Sequence, residues 1–107
     1  MSVAIIKYNA GNIFSVEHAL KRLGVEAIIT ADKDIIRKAD KVIFPGVGEA
    51  ASTMKHLRDN GTDDLILSLT RPVLGICLGM QLMCTKSEEG AADCLGIFDI
   101  DVKKFIP

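Results

Sequence analysis

The chain has 107 residues and a net charge of −1, and 49% of its residues are hydrophobic. This length suits one domain, residues 1–107, with enough apolar side chains to build a core. Acidic and basic residues are interspersed, so no basic stripe predicts nucleic-acid binding and no polybasic tail predicts binding to an anionic membrane. No apolar run approaches the ~20 residues of a membrane span, and no basic segment precedes the first apolar run as in a signal peptide.

The cysteines indicate the redox compartment. Cys77, Cys84 and Cys94 form an odd set, separated by six and nine residues, which fits no metal-binding pattern. The apolar content can build a core without disulfides. We therefore expect a reducing, cytoplasmic location and no metal.

Short apolar segments alternate with helical patterns along the chain. The predicted strands are 2–7, 25–30, 41–44, 73–76 and a half-exposed strand at 97–105. The predicted helices are 13–23, 32–39, 49–59, 63–69 and 78–85, and 86–92 is predicted to be a polar loop. This alternation predicts parallel β-α-β units, and hence a three-layer α/β fold with an open, mostly parallel sheet.

Three glycine-containing segments follow predicted strands, at 9–12, 45–48 and 75–79. Functional sites of open α/β sheets lie at the carboxyl ends of the strands. We therefore expect these three segments to meet at one crevice.

The strongest chemical signal is Gly75-Ile-Cys77-Leu-Gly79, which follows a strand and precedes a helix. This is the layout of a nucleophile elbow with cysteine at its apex, where the backbone N–H of Leu78 is a candidate oxyanion donor. Small residues are needed on both sides because the turn is sharp. The alternative is a buried packing cysteine, the commoner role of this residue type.

The other candidates are weaker. The glycine-rich turn at 45–48 can direct backbone N–H groups into the crevice, or it can be a plain strand-to-helix turn. Asn12 can cap the first helix, and this role fits its position as well as a functional role does. Cys84 and Cys94 are interpreted as structural. His18 and His56 fall in the middle of helices and are expected to be solvated surface residues, so no general base is evident.

Together these motifs resemble the class I glutamine amidotransferases. The cysteine segment, Gly75 to Gln81, is specific for that superfamily. Tyr8-Asn-Ala-Gly-Asn12, Pro45-Gly-Val-Gly48 and Ser87-Glu-Glu-Gly90 narrow the resemblance to the glutaminase subunit of imidazole glycerol phosphate synthase. The likeness covers essentially the whole chain and implies a truncated flavodoxin-like amidotransferase fold.

The resemblance implies a role for each matching position. Cys77 would attack the amide carbon of glutamine, form a glutamyl thioester and release ammonia. Val47, Gly48 and Leu78 would form the oxyanion hole once the Pro-Gly-Val-Gly segment is properly oriented. Substrate-binding positions would be Gly46, Gln81 and Glu89. Asn9 and Asn12 would face a (β/α)8 cyclase subunit in a heterodimer, and no cofactor is implied.

Two features depart from the family pattern. Lys7 stands where many relatives have an acidic residue. The family's catalytic His and Glu belong to a His-Pro-Glu-like segment near the end of a longer chain, and these 107 residues contain none. We therefore expect a truncated chain that is inactive alone. The alternatives are a non-catalytic flavodoxin-like interaction domain and the glutaminase of another biosynthetic branch.

Overall fold

The computed structural model of the protein describes residues 1–8, 13–88 and 91–103. Its helices are α1 (Ile13–Arg22), α2 (Lys33–Lys38), α3 (Ala50–Asp59), α4 (Thr62–Ser68) and α5 (Leu78–Leu82). Its strands are β1 (Val3–Ile6), β2 (Ala27–Thr30), β3 (Lys41–Phe44), β4 (Val73–Gly75), β5 (Lys86–Ser87), β6 (Ala92–Asp93) and β7 (Asp101–Val102). Within these ranges, no helix has the length and apolar character needed to cross a membrane.

The first four strands form a parallel sheet in the order β2-β1-β3-β4. Central strand β1 is buried along its whole length, as expected for a parallel strand covered on both faces. All four strands end at the same edge of the sheet, which is where the segments after β1, β3 and β4 begin. The predicted open α/β sheet is confirmed.

Two cores lie on opposite faces of this sheet. Side chains such as Ile6 and Phe44 face the larger core, together with residues of α2, α3, α4 and α5. Ile5 and Ile43 face the smaller core, which α1 covers through Val16 and Leu20. The alternation of side chains along each strand therefore separates a thickly covered face from a thinly covered one.

The predictions for the last quarter of the chain are partly wrong. Residues 86–92 are not a plain loop, because they contain β5, which pairs antiparallel with β6 from Ala92 onward. The strand predicted at 97–105 is reduced to β7, which pairs parallel with β5, and residues 104–107 lie outside the described residues. These three strands form a second, small sheet in the order β6-β5-β7.

The helix predicted at 78–85 is also shorter, since α5 ends at Leu82. The reason is competition for backbone hydrogen bonds at Thr85. Its N–H donates to the Ile100 carbonyl at 2.9 Å, and its own carbonyl accepts from the Cys94 N–H at 2.9 Å. Both groups are therefore used by the following segments rather than by a longer helix.

Candidate active site

Cys77 lies at the apex of the turn between β4 and α5. Its backbone has φ 53° and ψ −121°, and residues other than glycine rarely adopt a positive φ of this size. The side chain is exposed above the carboxyl end of the sheet. The predicted strand–turn–helix arrangement is confirmed, and the strained residue is the one proposed from sequence as the nucleophile.

Steric contacts explain the glycines on both sides of Cys77. A Cβ at Gly75 would meet the Met80 Cα at 2.7 Å, and a Cβ at Gly79 would collide with the Phe44 carbonyl oxygen. Both glycines thus let the backbone of α5 approach β3 and β4 closely. The requirement for small residues around the elbow therefore follows from packing against neighbouring backbone.

A cavity of about 150 Å³ adjoins the Cys77 side chain. The predicted residues Gly46, Val47 and Cys77 line it together, so the structure brings the 45–48 and 75–79 segments to one crevice. Its remaining lining residues are Ser15 and Val16, which were not predicted from sequence, and Pro45 and Ile76, which belong to the two predicted segments. The first two come from the start of α1, whose apolar periodicity predicted the helix but not its contact with the crevice.

The Pro45–Gly48 segment is held against the elbow by its own backbone. The Leu78 N–H donates to the Gly46 carbonyl at 3.0 Å. In a trans peptide the C=O and N–H groups point in opposite directions, and the described residues contain no cis peptide. With the Gly46 carbonyl directed at Leu78, the Val47 N–H is directed away from it.

This arrangement bears on the predicted oxyanion hole. Two of the three predicted N–H donors are not available in this conformation: the Leu78 N–H is bonded to the Gly46 carbonyl, and the Val47 N–H points away from Leu78. The third, Gly48, lies in an open turn with φ +120°. Rotation of the single Gly46–Val47 peptide would release the Leu78 N–H and redirect the Val47 N–H together. An oxyanion hole built from these groups requires that rotation, consistent with the reorientation implied by the family resemblance.

Tyr8 is a feature of the site that the sequence reasoning missed. It lies two residues after the end of β1 and is the chain's single tyrosine. Its hydroxyl donates to the Pro45 carbonyl oxygen, and its ring packs on Phe44 with centroids 5.4 Å apart. Burial raises the pKa of Tyr8, so the phenol stays protonated and remains a donor.

The other predicted substrate and partner residues are placed only in part. Gln81 lies half-buried one helical turn after Cys77, where its N–H donates to the Cys77 carbonyl at 3.1 Å. Asn9, Asn12 and Glu89 lie outside the described residues, so their roles stay predictions.

The remaining cysteines are packed away from solvent. Cys84 is buried and its thiol donates weakly to the Met80 carbonyl at 3.7 Å. Cys94 is half-buried. The pKa of its thiol is raised mainly by desolvation and to a smaller extent by the nearby Cys84. Both observations favour the structural roles inferred from sequence. No group of three metal-ligating side chains occurs in the described parts of the chain.

The two histidines differ from each other. His18 is exposed on α1, as expected. His56 corrects the expectation of a solvated surface residue, because it is half-buried and lines a polar cavity of about 270 Å³ with Lys7 and Tyr8. Neither histidine is among the described residues that line the Cys77 crevice.

An open parallel sheet with a cysteine at a strand–turn–helix elbow defines an α/β protein with a candidate nucleophile at its strand ends. A family model of the CobB/CobQ-like glutamine amidotransferase domain matches residues 2–104. The chain belongs to this glutamine amidotransferase family, which confirms the family resemblance inferred from its motifs. A solved structure described as a glutamine amidotransferase superposes with a TM-score of 0.77, covering 95% of this chain and 56% of that chain. Its 24% identity supports the fold alone.

Two individual relatives identify the type of glutamine amidotransferase that this chain resembles. The imidazole glycerol phosphate synthase subunit HisH of Bacteroides thetaiotaomicron is 70% identical over 107 residues, covering all of this chain and 55% of the relative. The HisH subunit of Idiomarina loihiensis is 46% identical over 104 residues, covering 97% of this chain and 53% of the relative. The chain therefore spans about half the length of the curated relatives that it matches.

Proposed function

We propose that this chain provides the nucleophile half of a glutaminase that belongs to imidazole glycerol phosphate synthase. The observation that carries the proposal is the strained, exposed Cys77 at an elbow beside the Pro45–Gly48 turn. The 70% identity to a HisH subunit supports this branch over the CobB/CobQ-like enzymes for which the family model is named. Glutamine is the proposed substrate.

The proposed reaction begins with the Cys77 sulfur. Its attack on the side-chain amide carbon of glutamine forms a C–S bond and places negative charge on the carbonyl oxygen. Backbone N–H groups of Val47, Gly48 and Leu78 stabilise that charge after the Gly46–Val47 peptide has rotated. The C–N bond then breaks, the nitrogen takes up a proton, and ammonia leaves. Water hydrolyses the thioester to glutamate and restores the thiol.

The proton transfers need a general base and acid, which the family resemblance assigns to a His-Pro-Glu-like segment. That segment is absent from these 107 residues, so the proposal places the complete reaction in a protein of the relatives' full length. Ammonia would pass to a (β/α)8 cyclase subunit, which the strand-end loops face, and would be used there to form imidazole glycerol phosphate.

A chimera tests this proposal directly. The matched residues of the Bacteroides thetaiotaomicron relative are replaced by this chain and the product is combined with that organism's cyclase subunit. We expect glutamine-dependent synthesis of imidazole glycerol phosphate, and we expect Cys77→Ala to reduce it by at least about 10³-fold because the nucleophile is lost. Synthesis from added ammonia should continue, because the cyclase does not need Cys77.

Matched controls are Cys84→Ala and Cys94→Ala, which should retain glutamine-dependent synthesis. Survival of glutamine use in Cys77→Ala would show that the nucleophile is misassigned. An inactive wild-type chimera that still binds the cyclase and supports ammonia-dependent synthesis would favour a non-catalytic interaction domain.

A further inference from the structure

Tyr8 reaches from the end of β1 to the segment that borders the nucleophile. Its hydroxyl donates to the Pro45 carbonyl across 37 residues of sequence, and a Cβ added at Gly46 would collide with the Tyr8 oxygen. Gly46 is also close to the start of α5, where the same Cβ would meet the Gly79 nitrogen at 3.1 Å and the Leu78 Cβ at 3.2 Å. Gly46 is therefore enclosed between Tyr8 and the elbow.

The two carbonyls of this segment are fixed in different ways. The Pro45 carbonyl is held by a side chain from outside the crevice, whereas the Gly46 carbonyl is held by the Leu78 N–H. Only the second bond must break to release Leu78. The ring of Tyr8 packs on Phe44 in the core, so the first bond has a rigid base. Pro45 and Gly46 are both buried, whereas Val47 and Gly48 are exposed.

From this geometry we propose that Tyr8 is a positioning residue that anchors the Pro45–Gly46 peptide and confines reorientation of the oxyanion segment to the Gly46–Val47 peptide. This role of Tyr8 rests on the proposed function of residues 46–48 in the oxyanion hole. The Tyr8 hydroxyl stays bonded to Pro45 in both orientations, and the dihedral angles on either side of the Gly46–Val47 peptide absorb the change. Without the hydroxyl, the whole segment moves and the N–H groups are less often aligned with the oxyanion.

The test is Tyr8→Phe, which removes the hydroxyl and keeps the ring on Phe44. In the 107-residue chain and in the chimera, hydrogen exchange of the Leu78 amide, which donates to the Gly46 carbonyl, should accelerate about 10-fold, with unchanged exchange in β1. In the chimera, kcat for glutamine should fall about 10-fold with KM changed less than about 2-fold, as for groups that orient a reacting group without touching it. Ammonia-dependent synthesis should be unaffected.

Ser68→Ala is the matched control, since Ser68 also donates a hydroxyl hydrogen to a backbone carbonyl, that of Leu65 at 2.7 Å, but in α4. It should change neither hydrogen exchange of the Leu78 amide nor kcat. Unchanged exchange and kcat in Tyr8→Phe would overturn the proposal. If the wild-type chimera has no glutaminase activity, the proposed function fails, while the exchange result still decides the role of Tyr8 as an anchor.

A double-mutant cycle covers the case in which Tyr8→Phe lowers overall stability. Gly46→Ala places a methyl group against the Tyr8 oxygen, and Tyr8→Phe removes that oxygen. The double variant should therefore lose less kcat than the product of the two single losses. Independent, multiplicative losses would show that Tyr8 and Gly46 do not act on the same segment.

Discussion

Cys77 combines an exposed side chain with a backbone that disfavours any side chain. Holding a residue other than glycine at φ 53° costs on the order of 1–3 kcal/mol, which packing around the elbow must offset. Glycine relieves this strain, whereas alanine retains it. We expect Cys77→Gly to be more stable than Cys77→Ala by about 1 kcal/mol, after allowing for the greater flexibility of glycine in the unfolded chain. Urea unfolding of the two variants measures the difference, and equal stabilities would mean that the turn is unstrained.

The residues of the site differ in how far the sequence could reveal them. Cys77 and its two glycines form a local pattern, because the elbow is built from five consecutive residues. The grouping with Gly46 and Val47 followed from the rule that parallel strands end at one edge. Tyr8 could not be assigned in this way, because its bond to Pro45 depends on the distance and tilt between β1 and β3 rather than on any spacing.

At the scale of elements, a polar clamp joins the start of β1 to the turn before β3. The Ser2 N–H donates to an Asp40 carboxylate oxygen at 2.7 Å, the Ser2 hydroxyl donates to the same oxygen at 3.2 Å, and the Asp40 N–H donates back to the Ser2 hydroxyl at 3.0 Å. Both hydrogen bonds from Ser2 to the carboxylate lower the pKa of Asp40, and the bond from the backbone N–H has the larger effect.

Because the folded-state pKa of Asp40 is lowered, its stabilising effect is present above the unfolded-state pKa of about 4. The effect is lost as the pH falls through the folded-state pKa. The difference in unfolding free energy between the wild type and Asp40→Asn should therefore be constant near neutrality and shrink below about pH 4. Asp34→Asn is a control, because exposed Asp34 pairs with Arg37 of its own helix at 3.5 Å. A difference for Asp40→Asn that persists to pH 2 would contradict the clamp.

The elements themselves were predicted with uneven success for a physical reason. β3 is found at the predicted residues, and the main helices and other parallel strands lie within a few residues of prediction, because burial on a helix or inside a sheet leaves an apolar pattern. Strands β5, β6 and β7 have two residues each, too few to show alternation. Their pairing depends on backbone bonds such as Glu88 N–H to Val102 carbonyl, at 3.0 Å.

At the scale of the molecule, the two faces of the main sheet are covered unequally. Ile43 and Leu74 are paired neighbours on β3 and β4 and point to the same face. Ile43 is 7% exposed and Leu74 is 58% exposed. An apolar cavity of about 250 Å³, lined by residues that include Leu20, Val25 and Leu74, opens beside them. Helix α1 therefore shields β1 and β3 but leaves the outer part of this face open.

Because one face of the sheet is partly open, a charged residue placed on it should affect the stability of this chain and of the chimera differently. A relative of which the chain spans 55% has further polypeptide available to cover the open face. We expect Leu74→Lys to change the unfolding free energy of the 107-residue chain by less than about 0.5 kcal/mol, and to cost more than about 2 kcal/mol in the chimera, where the lysine would be buried. Leu67→Lys, at a position 53% exposed on α4, should have the same small effect in both. If Leu74→Lys is equally harmless in the chimera, the remainder of the relative does not pack on this face.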